Sequence, residues 1–259
     1  MEKISNLRMP TSKYLYKYGN LTEPYRLSKI VLENTLYFPT SEELNDPTES
    51  LPVFADQPID EILDYLCDQF KAYNPSASKG QLEEIQTKGR SFGKETLMKE
   101  IRSLFNKMID CRYGILSLSK RMDSLPLWAH YAGDHTGYCL EFRNDREFAT
   151  GYEVLYQEKI PLRLSSEIDA FQADFLFTKR PDWAYEEEVR ILIKPPGLRQ
   201  FCPELLASVR LGKDVKNENI ELVLDWASKR TIPIDILKAT FNPETQSVEY
   251  VTIGSGATL

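Results

Sequence analysis

PDWAYEEEVRILIKPPG, residues 181–197, sets three consecutive carboxylates at the mouth of an apolar alternation and closes on two prolines. Read as a strand, it puts Tyr185, Glu187, Val189, Ile191 and Ile193 on one face. Glu186, Glu188, Arg190 and Leu192 fall on the other. Adjacent acids repel one another and are poor strand formers. A local conflict of this kind is tolerated most readily where the charges have a task. Arg190, two residues beyond Glu188 on the same face, can hold a carboxylate through its planar fork. A strand end whose acids simply point into water is the plainer reading of the segment taken alone.

Around this segment the pattern is mixed. KYLYKY at 13–18 alternates and reads as a strand, and EPYRLSKIVLEN reads as a helix with Pro24 in its first turn. TLYF at 35–38 is a short strand that runs into a turn-rich loop marked by Asn45, Asp46 and Pro47. From 58 to 110 the period becomes helical, through Ile59, Ile62, Leu63, Leu66 and Phe70 and later Leu97, Ile101, Leu104, Phe105 and Met108. Strands are expected over 113–119, 137–142 and GYEVLYQ, with a short helix entered at Pro126 and a further helix over 165–179. FCPELLASVRLG leads to a helix across 215–229, and IDILKATF and SVEYVTI close the chain as strands. The expectation is a single α+β domain over 1–259 with a mixed, mostly antiparallel sheet and a helical insertion at 58–110.

Composition bounds the function. With 259 residues, 42 % of them hydrophobic, the chain can bury a core without staples. Cys67, Cys111, Cys139 and Cys202 form no C-x-x-C pair, which argues against a disulfide framework and a cysteine-rich zinc site. The stretch MEKISNLRMPTSKY has no apolar h-region, and no run approaches the ~18 apolar residues of a membrane span. A cytoplasmic protein without a membrane partner is expected. The net charge of −7 argues against nucleic acid as an obligatory partner, since phosphate contacts favour a basic field. P-loop, dinucleotide-binding G-x-G-x-x-G, H-E-x-x-H and G-x-S-x-G motifs are all missing. His130 and His135 are the two histidines, five residues apart and about 140° apart on a helix, so no metal is expected there.

Three blocks carry a resemblance. They are LYKYGN with ENTLYFPTSEELNDPTES, then GILSLSKRMDSLPLWAHYAGDHTGYCLEF, then W-x-Y-E-x-E-x-R at 183–190. In this order they resemble the bacterial family called domain of unknown function 2971, which implies no activity. More distantly the chain resembles ADP-ribosyltransferases. Tyr16, Lys17 and Tyr18 fall where those enzymes carry a polar NAD-contacting residue. Ser117 and Ser119 match their hydroxyl strand as Ser-x-Ser, Trp128 to Tyr131 their aromatic helix, and YEEEVRILIKPPG their acidic strand.

The resemblance implies NAD as a substrate, an acceptor of unknown identity, and a role as a toxin or phage-defence effector. Glu188 would stabilise the cation that forms when the nicotinamide–ribose bond breaks, and Glu186 would orient or deprotonate the acceptor. Tyr16, Lys17, Ser117, Ser119, Trp128, His130 and Tyr131 would line the NAD site. Two other classes stay open. One is a non-catalytic module whose acidic strand meets a basic partner. The other is a metal-dependent nuclease using Glu186 and Glu188, although Val189 and Arg190 follow where a Glu-x-Lys would be needed.

Overall fold

The computed structural model describes residues 7–46, 52–158, 161–164 and 173–255. In chain order the strands are β1 (Tyr14–Gly19), β2 (Thr35–Phe38), β3 (Gly114–Ser119), β4 (Tyr138–Arg143), β5 (Tyr152–Glu153), β6 (Leu155–Tyr156), β7 (Thr178–Lys179), β8 (Glu188–Ile193), β9 (Gly197–Gln200), β10 (Leu206–Leu211), β11 (Asp235–Asn242) and β12 (Ser247–Ser255). The helices are α1 (Pro24–Glu33), α2 (Ile59–Tyr73), α3 (Lys79–Phe92), α4 (Lys94–Arg112), α5 (Leu125–Tyr131) and α6 (Asn217–Ser228). Eight strands form one sheet in the order β12-β11-β10-β4-β1-β3-β8-β5. Within it only β10 and β11 run parallel, so the architecture is α+β with a mixed, mostly antiparallel sheet.

Alternation divides the central strands cleanly. Leu15, Leu116, Leu118, Leu140, Phe142, Val189, Ile191, Val209 and Leu211 are buried together under Leu27, Ile30 and Val31 of α1 and Val223 and Ala227 of α6. The opposite parity is mixed: Tyr16, Ser117, Ser119, Glu141, Glu188, Arg190, Ser208 and Arg210 carry polar groups, while Ile115, Cys139 and Leu192 are apolar. The register carries one row straight across five strands, Ser208 to Glu141 to Tyr16 to Ser119 to Glu188. Residues facing each other in register share a sheet face. One face of the sheet is thus hydrocarbon, and the other carries charge under cover.

Helices α2 to α4 lie in sequence between β2 and β3 and have a core of their own, with Ile62, Leu63, Leu97, Ile101 and Phe105 packed around Phe54 and Leu164. The foot of α4 returns to the sheet, where Ile109 packs with Tyr113, Ile115, Leu176 and Phe177.

Three expectations need correction. The acidic segment is not a strand from its start. Residues Pro181–Glu186 form a 3-10 turn, Glu187 is left-handed at φ 43°, and β8 begins only at Glu188. Pro181 suits the first turn, and a bend at Glu187 keeps three like charges from lining up along one strand. The expected helix over 165–179 falls outside the described residues up to 172. Its remainder is a 3-10 turn, Ala173–Phe177, followed by β7. GYEVLYQ is likewise two short strands, β5 on β8 and β6 on β7, rather than one.

The two-faced sheet predicts an unequal response to truncation. Leu140→Ala, on a wholly buried β4 position, should cost about 2–5 kcal/mol in urea denaturation. Leu198→Ala, on the exposed β9, should cost less than about 1 kcal/mol.

Candidate functional site

The site grows from the row of charges at the β8 end of the sheet. Arg190 has no solvent exposure, and its Nε and Nη2 donate to Glu188 Oε1 and Oε2 at 2.7 and 3.0 Å. The fork anticipated from the i, i+2 spacing is therefore made. Lys179, arriving on β7, donates from Nζ to Glu186 Oε2 at 2.6 Å and to Glu188 Oε2 at 3.2 Å. Tyr131, at the end of α5, donates its hydroxyl to Glu186 Oε1 at 2.7 Å. The Glu188 amide donates to the Tyr156 hydroxyl at 2.7 Å. The Lys179 ammonium also lies over the Trp183 ring, 4.9 Å from its centre.

The left-handed bend at Glu187 makes this geometry. It lets Glu186, from the turn, and Glu188, from the strand, reach one ammonium, while Glu187 turns outward to Arg121 at 3.3 Å. Non-glycine residues enter the left-handed region at a cost of about 1 kcal/mol or more. The four charges balance, as buried charges must if they are to stay ionised. Burial pushes the Glu188 carboxyl up, against the pull of Lys179 and the Ser117 hydroxyl. Burial draws Lys179 down, but Glu188 and Glu186 outweigh it and hold the ammonium well above its ordinary range. Burial, then the Glu186 carboxylate, raises the Tyr131 phenol, which stays a proton donor.

A cavity of about 190 Å³ opens against this network. Glu186, Glu188, Lys179 and Tyr131 line it, with Tyr16, Lys17 and Tyr18 of β1 and Ser117, Leu118 and Ser119 of β3. Both parities of β1 and β3 take part because a single registered pair, Tyr16 with Ser119, joins those strands. Glu43, Leu44 and Asn45 bring in the loop after β2, which Asp110 of α4 holds by accepting from the Ser41 and Glu42 amides at 3.0 and 3.3 Å.

Of the nine site residues expected from sequence, seven line this cavity: Tyr16, Lys17, Ser117, Ser119, Tyr131, Glu186 and Glu188. Two do not. Trp128 is fully buried beneath β1, edge-on to Tyr18 at 5.3 Å, and its Nε1 donates to the Tyr250 hydroxyl. Its apolar bulk serves packing, as large aromatics usually do. His130 meets the Tyr185 hydroxyl at 3.0 Å, one helical position off the cavity wall. Tyr16 and Ser119 are partly committed. The Tyr16 hydroxyl donates to Glu141, and the Ser119 hydroxyl donates to the Glu186 carbonyl.

Lys179 was missed from sequence because it lay inside an expected helix. The signal that could have found it is a basic pair, Lys179-Arg180, directly ahead of an acidic run that must be neutralised if buried.

Every lettered position of W-x-Y-E-x-E-x-R now has a partner. Trp183 covers Lys179, Tyr185 meets His130, Glu186 and Glu188 share Lys179, and Arg190 clasps Glu188. Residues 127–191 match the family described as Protein of unknown function (DUF2971). The DUF2971 match runs from the Tyr131 helix through Lys179 to the clasped strand, and thus contains the whole ion network. Lys17, Ser117 and Ser119 lie outside it. No curated protein and no solved structure matches the chain. No described helix is long and apolar enough to cross a membrane.

Lys17 stands apart from the network. It faces Leu140 in register, on the parity that is otherwise apolar. Burial pushes its amine down to about 8, with the Glu188 carboxylate opposing. Its folded pKa lies below its unfolded one, so the unfolded chain binds the extra proton between pH 8 and the ordinary lysine range. Stability is therefore lowered below pH 8 and recovers as pH rises past it. Lys17→Met should raise the melting temperature at pH 7, and the gain over wild type should shrink steadily from pH 8 to about pH 10.4. Thermal melts of both proteins across that range check the sign. Arg190→Met should act oppositely, costing about 3–5 kcal/mol by leaving Glu188 short of its clasp.

Proposed function

We propose that the cavity is the active site of an enzyme that cleaves the nicotinamide–ribose bond of NAD, passing ADP-ribose to water or to an acceptor. One observation carries this reading. Hydroxyl, aromatic and carboxylate residues chosen from three separate blocks of sequence line one concave site, with both carboxylates buried. Acids splayed over a convex surface would instead have favoured docking to a basic partner. A metal-dependent nuclease would need carboxylate oxygens free to converge on a cation. Here the Lys179 ammonium lies between the two acids.

The chemistry divides between the carboxylates according to their partners. Glu188 meets a guanidinium at two points and an ammonium at a third, so little of its charge is left to act on a ligand. Glu186 meets one ammonium and one neutral phenol and keeps more of its field. Glu186 is thus placed to stabilise the cationic ribose that forms as nicotinamide leaves. Glu188 fixes Lys179 and, through it, the position of Glu186. Ser117 offers a hydroxyl to ribose or amide, and the Tyr131 ring borders the place where nicotinamide would lie. The cavity is smaller than the ~300–1,000 Å³ of typical ligand pockets, so it takes one end of a dinucleotide. We place the protein in the cytoplasm, and its four unpaired cysteines suit a reducing compartment.

The test is nicotinamide release from NAD by the pure protein. Glu186→Gln should abolish release and lower the melting temperature by a few degrees, because shape is kept while a buried charge that balances Lys179 is removed. Glu188→Gln should lower the melting temperature by several degrees as well as the rate, and Glu187→Gln should leave both unchanged. Wild-type release no faster than that of Glu186→Gln would overturn the assignment.

A further inference from the structure

Lys17 has no part in the glycosidic step. Of the two lysines lining the cavity, Lys179 is committed to Glu186 and Glu188. Lys17 makes no side-chain hydrogen bond or ion pair with any described residue. It is half-buried on the apolar parity of β1, flanked by Leu15 and facing Leu140, both fully buried. A cation so placed costs stability, and such violations persist mainly at functional sites. Around it the cavity wall supplies the Ser117 hydroxyl, the Tyr131 phenol and the Glu186 and Glu188 carboxylates. These are the groups that proton transfer at an amine requires.

We propose that Lys17 is a nucleophilic amine that captures a small aldehyde or ketone as an imine in this cavity. The neutral Nζ lone pair attacks the carbonyl carbon, and the carbonyl π pair moves to oxygen. Proton transfer from nitrogen to oxygen gives the carbinolamine. A second proton on oxygen lets it leave as water while nitrogen forms the double bond. Amine and carbonyl compound become imine and water, with no change of oxidation state. The Tyr131 phenol, already donating to Glu186, relays the proton to oxygen, and the proton left on the iminium nitrogen passes to a carboxylate. The lowered affinity of Lys17 for its proton helps: at pH 7 an amine titrating near 8 is roughly one-tenth neutral, and an ordinary lysine roughly one part in 2,500. The modest cavity volume selects carbonyl compounds of a few carbons.

The experiment is reductive trapping at pH 7. The full chain is treated with propanal and cyanoborohydride, or with pyridoxal 5′-phosphate and cyanoborohydride, and each lysine is followed by peptide mass. Lys79, whose side chain is 91 % exposed, is the internal reference. Propanal should label Lys17 first, at least about ten-fold faster than Lys79, because more of its amine is neutral, and the bulkier pyridoxal 5′-phosphate should show no such preference. Lys17→Arg, which keeps the cation and removes the nucleophile, should lose the fast phase. Labelling of Lys17 no faster than Lys79 would overturn the proposal. Fast labelling by the phosphate-bearing aldehyde alone would overturn it too, as the mark of a simple anion site. So would a fast phase that survives in Lys17→Arg. The wild-type peptide map stands even if the variant fails to fold. Nicotinamide release is a separate readout, so either reading can fail without the other.

Discussion

The two-point clasp of Arg190 on Glu188 is the constraint on which the site depends. It sits at 0 % exposure on the guanidinium side, where either charge alone would be prohibitively expensive. Once Glu188 is ionised it can share Lys179 with Glu186, and Lys179 then ties the β7 segment to the turn before β8. Trp183 and Tyr131 close over this pair of acids. Removing any one charge leaves its partner buried and uncompensated, so the network specifies its geometry as a unit.

The same logic recurs three and four strands away from β8. Glu141 on β4 pairs with Arg210 on β10 at 2.7 Å and accepts from Ser208 and Tyr16. The register row from Ser208 to Glu188 joins these two charge centres through Tyr16 and Ser119. The opposite face is hydrocarbon under α1 and α6. The sheet thus keeps its stabilising apolar burial on one side and its chemistry on the other. The cavity lies where the two meet, at the short ladder between β1 and β3. Lys17 reaches that junction from the apolar parity and is half-buried at the cavity wall.

The segment from β7 to β8 also shows why a sequence reading can be right about destination and wrong about path. Glu186 and Glu188 do converge, but through a 3-10 turn and a left-handed Glu187 rather than through strand alternation. Period-two spacing and a one-residue bend give the same pair of residues, and nothing local distinguishes them. The roles shift accordingly. Sequence placed the working charge on Glu188; the proposed reading moves it to Glu186, because Glu188 has the larger share of cationic partners.

Sequence by itself determined the alternation of β1, β3, β4 and β8, the helical stretch between β2 and β3, the Arg190–Glu188 pairing and seven of the cavity residues. These are consequences of period, of short-range spacing and of charge, which a chain carries locally. Tertiary structure alone decided that Trp128 packs beneath β1 while Tyr131, three residues on, faces the acids. It alone brought Lys179 to Glu186 and left Lys17 with no side-chain hydrogen bond or close ion pair among the described residues. Whether a buried charge is neutralised depends on which strands become neighbours, and strand order is set by the packing of the whole sheet rather than by any window of sequence.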